Sequence, residues 1–233
     1  MSELNKIALK IIGNGKGILA ADESTGTMTK RLDSVNIKSS PDNRLLFRET
    51  LFTSARMKDC IGGVILYDET IKQTSKSGGT IPELISNFNS VSGIKVDTGA
   101  KSLANSKEEK ITEGLDGLRE RLKEYYKLGA RFTKWRAVYV ISNKYPSKLS
   151  MQANSHALAR YAALVQECGM VPIVEPEVLM DGDHSANDCY KKTTEVIKKC
   201  FDELEFHKVD MKGVILKPNM ILPGSSSDKK ISN

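Results

Sequence analysis

The sequence predicts an α/β fold built on a parallel β-sheet, and three observations support this prediction. Short apolar runs alternate with amphipathic stretches along the 233 residues. The runs show little polar alternation, which is typical of strands buried on both faces of a sheet. They also recur about every 40 residues, a spacing that leaves room for one helix after each strand.

Six apolar runs are the predicted strands, and a predicted helix follows most of them. The strands begin near residues 17, 62, 93, 131, 171 and 213. Helical spacing of apolar residues is found in Leu4–Ile12, Asn43–Met57, Leu115–Tyr125, Met151–Cys168 and Asp188–Phe206. An eight-unit (β/α)8 barrel of such units would need about 300 residues. The chain is therefore expected to form either an open six-stranded sheet or a barrel that lacks its last two units.

Composition places the chain among ordinary globular proteins, with 39% hydrophobic and 27% charged residues. The net charge of +6 suits a nucleic acid, an anionic membrane surface or an anionic small substrate. Because lysines are interleaved with acidic residues and no arginine-rich tail or zinc finger is found, we expect no nucleic-acid partner. The apolar runs are too short to span a bilayer, and residues 1–10 are not a secretory signal. We expect a cytoplasmic protein without membrane association.

Cysteine and histidine spacing argues against a disulfide framework and against a metal site. The chain has four cysteines, none in a CxxC pair: Cys60, Cys168, Cys189 and Cys200. We expect free thiols in a reducing compartment. His156, His184 and His207 lie too far apart in the sequence for a helical histidine pair. No metal ion and no cofactor is expected.

Ionisable residues lie within or just beyond five of the predicted strands: Asp22, Lys95, Lys134, Glu175 and Lys217. In a barrel the carboxyl ends of the strands converge on one face, where the active site is built. Any one of these residues could be a solvated strand end or part of a structural ion pair. Together, three lysines and two carboxylates would perturb one another's proton affinity, as active-site groups do.

This set of residues indicates Schiff-base chemistry. Lys217 follows Val214-Ile215-Leu216, so its stem is expected to pack among aliphatic side chains. Burial and neighbouring cations favour the neutral amine, which is the form that attacks a carbonyl group. Forming and breaking an imine needs groups that move protons, and Glu175, Glu177 and Asp22 are available.

The remaining cations near the strand ends suit phosphate groups. They are Lys30, Arg31, Lys95 and Arg136. The predicted substrate is therefore a phosphorylated carbonyl compound.

Eight short motifs run in order over nearly the whole chain. They begin at Gly15 (GKGILAADEST), Ile61 (IGGVIL), Gly93 (GIKVD), Gly114 (GLDGL), Lys134 (KWR), Val171 (VPIVEPE), Asp181 (DGDH) and Leu216 (LKPNM). In this series the chain closely resembles the class I fructose-bisphosphate aldolases. The resemblance implies a (β/α)8 barrel with about six of the eight units present in this chain. It also implies reversible, metal-independent cleavage of fructose 1,6-bisphosphate to dihydroxyacetone phosphate and glyceraldehyde 3-phosphate, in glycolysis and gluconeogenesis.

The resemblance implies a role for each catalytic candidate. Lys217 would form the Schiff base with the ketone carbon. Glu175 would act as acid and base on the carbinolamine, with Glu177 supporting it. Asp22 would lie near the hydroxyl that is deprotonated during carbon–carbon cleavage. Lys134 would support charge balance and proton handling beside Lys217.

The resemblance also implies substrate-binding residues. Arg136 would lie close to Lys134, and Lys95, Arg31 and the Thr27 hydroxyl would lie toward one phosphate. Thr27 replaces a serine that is common in the family, and the change keeps the hydroxyl.

One phosphate contact departs from the family pattern. Leu45 stands where the family often has an arginine, and Arg44 and Arg48 are expected to compensate. The family also continues through two further strands that bind the other phosphate. We therefore expect the 233 residues to be a truncated form, a single, C-terminally incomplete barrel domain over residues 1–233. The resemblance further implies a homotetramer at full length.

Two alternatives stay open from the sequence. One is a Schiff-base aldolase or transaldolase for another sugar phosphate, which would share the lysine of the sixth strand. The other is a non-catalytic fragment or moonlighting scaffold that binds partners through its basic surface.

Overall fold

A six-stranded parallel sheet runs through the computed structural model, which describes residues 1–228. The strands are β1 (Gly17–Ala21), β2 (Ile61–Leu66), β3 (Val91–Lys95), β4 (Gly99–Ser102), β5 (Lys110–Glu113), β6 (Phe132–Tyr139), β7 (Val171–Val178) and β8 (Ile215–Leu216). The parallel sheet has the order β1-β2-β3-β6-β7-β8, while β4 and β5 form a separate antiparallel pair.

In the described residues, the helices lie before and between these strands. They are α1 (Glu3–Ile12), α2 (Thr25–Asp33), α3 (Pro41–Phe52), α4 (Met57–Cys60), α5 (Asp68–Ile71), α6 (Ile81–Asn87), α7 (Leu118–Lys127), α8 (Lys148–Glu167) and α9 (Ala186–Phe206). A 3-10 turn at Met211–Gly213 precedes β8. Within the described residues, no helix has the length and apolar character needed to cross a membrane.

The prediction of an α/β fold with six parallel strands is confirmed, and each strand begins within about two residues of its predicted start. The sheet is curled, because Asp22 after β1 contacts Lys134 on β6 although β2 and β3 lie between them. Over residues 1–228, β1 and β8 are the two edges of this sheet. The architecture agrees with six strands of a barrel.

Several local predictions are wrong. The helix predicted over 43–57 ends at Phe52, and a new short helix begins at Met57. The hairpin of β4 and β5 was not predicted, because its four-residue strands carry no clear apolar alternation. The helix α2 was also missed, because Gly26 and three threonines lower its helix propensity. Its start is fixed by the Ser24 side chain, which accepts a hydrogen bond from the Thr27 amide.

The apolar core has two parts, one on each side of the sheet. The larger part lies between the sheet and the outer helices and includes Trp135 and Val174. The smaller part lies on the inner side and is covered by α1. We call it the inner apolar cluster: Ala8, Ile11, Ile65, Val91, Phe132, Val171, Ile173 and Ile215. Because side chains alternate along a strand, the residues two positions after Phe132 and Ile173 continue on the same inner side.

Close packing within the inner apolar cluster explains two glycines of the predicted strands. A Cβ atom at Gly93 would lie 2.4 Å from the Phe132 ring. A Cβ atom at Gly62 would lie 2.0 Å from the carbonyl oxygen of Ile11 at the end of α1. Both positions therefore exclude larger side chains and let α1 and the Phe132 ring close the amino end of the sheet.

Candidate active site

A cavity of about 490 Å³ opens at the carboxyl ends of the strands. Lys30, predicted from the residues alone to suit a phosphate group, does not line it, but eight of the nine site residues that the resemblance implies do: Asp22, Thr27, Arg31, Lys95, Lys134, Arg136, Glu175 and Glu177. The ninth, Lys217, lies directly after β8 and donates a hydrogen bond to Glu175. The structure thus brings the predicted site residues together around one opening.

Four of these side chains form a continuous chain of alternating charge, which we call the charged cluster: Asp22, Lys134, Glu175 and Lys217. The Lys134 Nζ donates to Asp22 Oδ2 at 3.0 Å and lies 3.3 Å from Glu175 Oε2. The other oxygen of Glu175, Oε1, accepts the hydrogen bond from Lys217 Nζ. Glu175 therefore bridges two amines, one on each oxygen.

The Lys134 ammonium is buried, with 11% of its side chain exposed. Burial alone lowers the pKa of Lys134, but attraction to Asp22 and Glu175 outweighs this effect and raises the pKa above its ordinary value. Lys134 consequently stays protonated and holds two carboxylates close together that would otherwise repel each other.

The predicted burial of Lys217 is wrong. Its side chain is 49% exposed, whereas the Glu175 side chain that it contacts is 4% exposed. The reason is its position: β8 has two residues and, over the described residues, pairs with β7 alone, so one side of Lys217 remains open to solvent. The lysine is oriented by the hydrogen bond to Glu175 and not by an aliphatic pocket.

Arg136 and Glu177 form a separate ion pair beside the charged cluster. They occupy neighbouring strands, β6 and β7, with both side chains partly exposed. The bond to Glu177 raises the pKa of Arg136, so the guanidinium is a fixed positive charge in the cavity wall. In this geometry Glu177 contacts Arg136, two positions beyond the bridging Glu175.

The other end of the cavity holds the residues predicted to bind phosphate. Thr27 lies in the first turn of α2, where its hydroxyl is 3.1 Å from Ser24 Oγ. Arg31, one turn further along α2, bonds the Glu23 carboxylate. Lys95, at the end of β3, lies 3.5 Å from Asp97 Oδ1. Two cations, two hydroxyls and the amino end of a helix therefore face one region of the opening.

Sequence reasoning missed Asp97 as a site residue. It lines the cavity, its side chain is 4% exposed, and it accepts hydrogen bonds from the Gly99 and Arg136 amides. Burial raises the pKa of Asp97 in spite of the nearby Lys95 and Lys134. The signal was present, because Asp97 follows a predicted strand end just as Asp22 does.

The expectation that Arg44 and Arg48 compensate for Leu45 is wrong. Arg44 is buried and bonds the Glu69 carboxylate. Arg48 is fully buried and donates to the Thr70 hydroxyl and to the Glu23 carbonyl oxygen. Neither lines the cavity, because Arg44 and Arg48 hold α3 against α5, and Arg48 also bonds the loop after β1.

All four cysteines lie within residues 1–228 and all are free thiols. Cys60 is exposed, whereas Cys189 and Cys200 are buried. Burial raises the pKa of the Cys200 thiol to about 12, which keeps it protonated at neutral pH. The cysteines take no part in the cavity wall.

Comparison with known proteins agrees with the geometry. A family model described as glycolytic fructose-bisphosphate aldolase class-I matches residues 3–233. A Xylella fastidiosa protein named "Probable fructose-bisphosphate aldolase class 1" is 48% identical over 232 residues, which are 100% of this chain and 70% of that protein. Fructose-bisphosphate aldolase C of Carassius auratus is also 48% identical and is covered to 64%, with 99% of this chain aligned.

A solved structure supports the same assignment. Fructose-bisphosphate aldolase from Plasmodium falciparum, solved in complex with TRAP and a small-molecule inhibitor, superposes with a TM-score of 0.96 at 44% identity. The alignment covers 99% of this chain and 67% of that structure. The match to the family model, the sequence identity and the superposition of the fold lead to one conclusion. The chain belongs to the class I fructose-bisphosphate aldolase family.

Proposed function

We propose that this chain catalyses the reversible, metal-independent cleavage of fructose 1,6-bisphosphate to dihydroxyacetone phosphate and glyceraldehyde 3-phosphate through a Schiff base on Lys217. The observation that carries the proposal is the charged cluster, in which Glu175 bridges Lys217 and Lys134. Carbonyl attack needs a neutral amine, and the adjacent carboxylate can accept the proton that the ammonium must lose.

The first step is the addition of the Lys217 amine to the ketone carbon. Transfer of a proton from Lys217 to Glu175 yields the nucleophile and a carboxylic acid at the same time. The amine then attacks the carbonyl carbon to give a carbinolamine, and Glu175 delivers its proton to the departing hydroxyl. Water leaves and a protonated imine remains. Lys134 keeps its positive charge beside this carboxyl group, 3.3 Å from Glu175 Oε2.

The second step is the cleavage of the carbon–carbon bond. The bonding electron pair moves into the protonated imine, which becomes an enamine. The proton of the neighbouring hydroxyl passes to a carboxylate, and glyceraldehyde 3-phosphate departs. Asp22 suits this role because it lines the cavity, with its Oδ2 3.0 Å from the Lys134 ammonium. Protonation of the enamine and hydrolysis of the imine release dihydroxyacetone phosphate and restore Lys217.

The first turn of α2 supports a phosphate site. Helix amino ends attract anions, and α2 presents Ser24 and Thr27 toward the cavity. Arg31 and Lys95 add positive charge, and each is paired with a carboxylate, Glu23 and Asp97 respectively. Without substrate, these ion pairs keep the two cations in place. Phosphate binding would replace the ion pairs with bonds from Arg31 and Lys95 to the substrate.

A substrate panel tests the proposed function. We expect fructose 1,6-bisphosphate to be cleaved faster than deoxyribose 5-phosphate by the native protein. The variant Lys217→Met should lose cleavage, because no amine remains at the imine position. The control Lys212→Met removes an exposed lysine of the preceding 3-10 turn and should leave the rate unchanged. Equal rates on both sugars, or full activity in Lys217→Met, would contradict the proposal.

We also propose that the chain forms part of a single (β/α)8 barrel domain and that the full-length protein is a cytoplasmic homotetramer. Over residues 1–228, one six-stranded parallel sheet with apolar core on both of its sides supports a single domain. The predicted boundary at residue 233 lies outside the described residues, and truncation stays a prediction. Light scattering on the native protein checks the tetramer, and a monomer at micromolar concentration would contradict it.

A further inference from the structure

Two of the three histidines meet at one carboxylate on the outer helical layer. His156 belongs to α8, Glu203 lies in the last turn of α9, and His207 directly follows α9. The Nδ1 atom of His156 lies 3.3 Å from Glu203 Oε2, and that of His207 lies 3.8 Å from the same oxygen. The two imidazole rings stand edge to face, 4.9 Å apart. Their distance along the sequence concealed this proximity.

The two oxygens of Glu203 have different surroundings. Oε1 accepts a hydrogen bond from Gln152 at 2.6 Å and forms an ion pair with Lys199 at 3.2 Å. Within the described residues, the two histidines are the only contacts given for Oε2.

The tautomer of His207 is set by the backbone. Its Nδ1 lies 2.8 Å from the carbonyl oxygen of Glu203, so that nitrogen carries the proton and donates it. Nε2 then keeps a lone pair. A ring that donates one N–H to a backbone carbonyl and offers the other nitrogen is the usual arrangement of a metal-ligating histidine.

The spacing of the three groups fits a small cation. One ring nitrogen of each histidine and one oxygen of Glu203 all lie within 4.8 Å of one another. Bonds of about 2.0–2.2 Å to a tetrahedral zinc ion place its ligand atoms roughly 3.3–3.5 Å apart. The 3.3 Å between His156 Nδ1 and Glu203 Oε2 already matches this spacing, and the exposure of His156, with 47% of its side chain accessible, leaves room for an ion beside it.

We propose that His156, Glu203 and His207 bind one divalent transition-metal ion, with zinc as the best match to two imidazoles and a carboxylate. Water completes the coordination on the open side, beside His156. The ion joins α8 to the end of α9 and therefore stabilises the contact between these helices. The site lies outside the active-site cavity and takes no part in the proposed cleavage.

Titration with zinc ions after removal of metals by chelation tests this proposal. Calorimetry on the native protein should show one equivalent of saturable binding, and the thermal midpoint should rise with zinc concentration. His156→Gln and His207→Gln should each weaken binding by about tenfold or more. The matched control Glu195→Gln removes a carboxylate from the same helix, outside the cluster, and should bind zinc like the native protein.

Cobalt ions distinguish this site from binding to the free thiols. Cobalt held by imidazole and carboxylate should give d–d absorption without a thiolate charge-transfer band. Circular dichroism checks that the variants are folded, which the exposure of His156 favours. Absence of a saturable site, unchanged affinity in both histidine variants, or a thiolate band that accounts for the bound metal would overturn the proposal.

Discussion

Phe132 and Lys134 lie two residues apart on β6 and point to the same side of the sheet, yet their surroundings are opposite. Phe132 is fully buried in the inner apolar cluster, which α1 covers. Lys134 belongs to the charged cluster and lines the open cavity. The same change occurs between Ile173 and Glu175 on β7.

The difference shows how one set of strands serves both stability and chemistry. The amino ends are sealed by an amphipathic helix, so apolar side chains remove their surface from water there. The carboxyl ends have no such cover and can hold polar groups, provided that each charge has a partner. The charged cluster meets this condition, because each of its carboxylates contacts at least one ammonium. Four substitutions can break or sharpen this contrast.

The largest effect is expected in the charged cluster, on activity. Glu175→Gln keeps the shape of the side chain but removes the group that exchanges protons with Lys217. We expect the cleavage rate to fall by about 10²–10⁴-fold. Because Lys134 retains its bond to Asp22, the variant should stay folded. Steady-state kinetics with fructose 1,6-bisphosphate measure the loss, and a rate within a factor of two of the native protein would exclude this role.

A substitution in the inner apolar cluster is expected to have an effect of comparable free energy, but on stability and not on activity. Phe132→Ala removes a fully buried ring and leaves a cavity. The free energy of unfolding should fall by about 3–5 kcal/mol. Urea denaturation measures it, with Tyr126→Ala, an exposed aromatic residue at 40% accessibility, as the control. Equal losses of unfolding free energy in both variants would show that the inner apolar cluster contributes no more to stability than an exposed aromatic residue does.

The third prediction concerns pH. Lys134→Met removes the ammonium between Asp22 and Glu175, so that Asp22 loses its partner and Glu175 keeps only Lys217, which should cost about 3 kcal/mol at neutral pH. The folded protein raises the pKa of Lys134, so this stabilisation is complete below its unfolded pKa of about 10.4 and is lost as pH rises through the folded value.

The difference in unfolding free energy between the native protein and Lys134→Met should therefore be constant from neutral pH to about pH 9 and shrink above about pH 10.4. Urea denaturation across this range measures the difference, with Lys212→Met as the reference for general lysine titration. A difference that is independent of pH up to strongly alkaline conditions would contradict the ion-pair account.

The smallest effect is expected at a glycine. Gly93→Ala places a methyl group against the Phe132 ring, which has to move, and should cost about 1–3 kcal/mol. Gly17→Ala, on β1, meets open space and should change stability by less than about 0.5 kcal/mol. Thermal unfolding of the two variants compares a packed with an open position on the same sheet. If Gly93→Ala were as stable as Gly17→Ala, the close contact with Phe132 would be ruled out.

The sequence predicted those features that depend on local pattern. Continuous apolar runs identified the six parallel strands. Ionisable residues at the strand ends identified Asp22, Lys134 and Glu175, which line the cavity. Features that depend on long-range contact were not predictable in the same way. The exposure of Lys217 follows from its place beyond an edge strand. The burial of Arg48 follows from the packing of α3 against α5 and the loop after β1.

Two further misses have the same origin. Asp97 is buried because β4 folds back beside β6, and the antiparallel hairpin has no strong apolar signature. His156 and His207 meet only because α8 and α9 pack side by side on the outside of the sheet. Each miss required knowledge of which elements are neighbours, and neighbours distant in sequence leave no periodic signal in either partner.

The most direct test of the account is to trap the imine. The native protein is incubated with dihydroxyacetone phosphate and reduced with borohydride, and the modified peptide is mapped by mass spectrometry. We expect one stable adduct, on Lys217. The adduct should be absent in Lys217→Met and present in Lys212→Met. An adduct on another lysine, or none at any substrate concentration, would contradict the claim that the charged cluster prepares Lys217 for carbonyl attack.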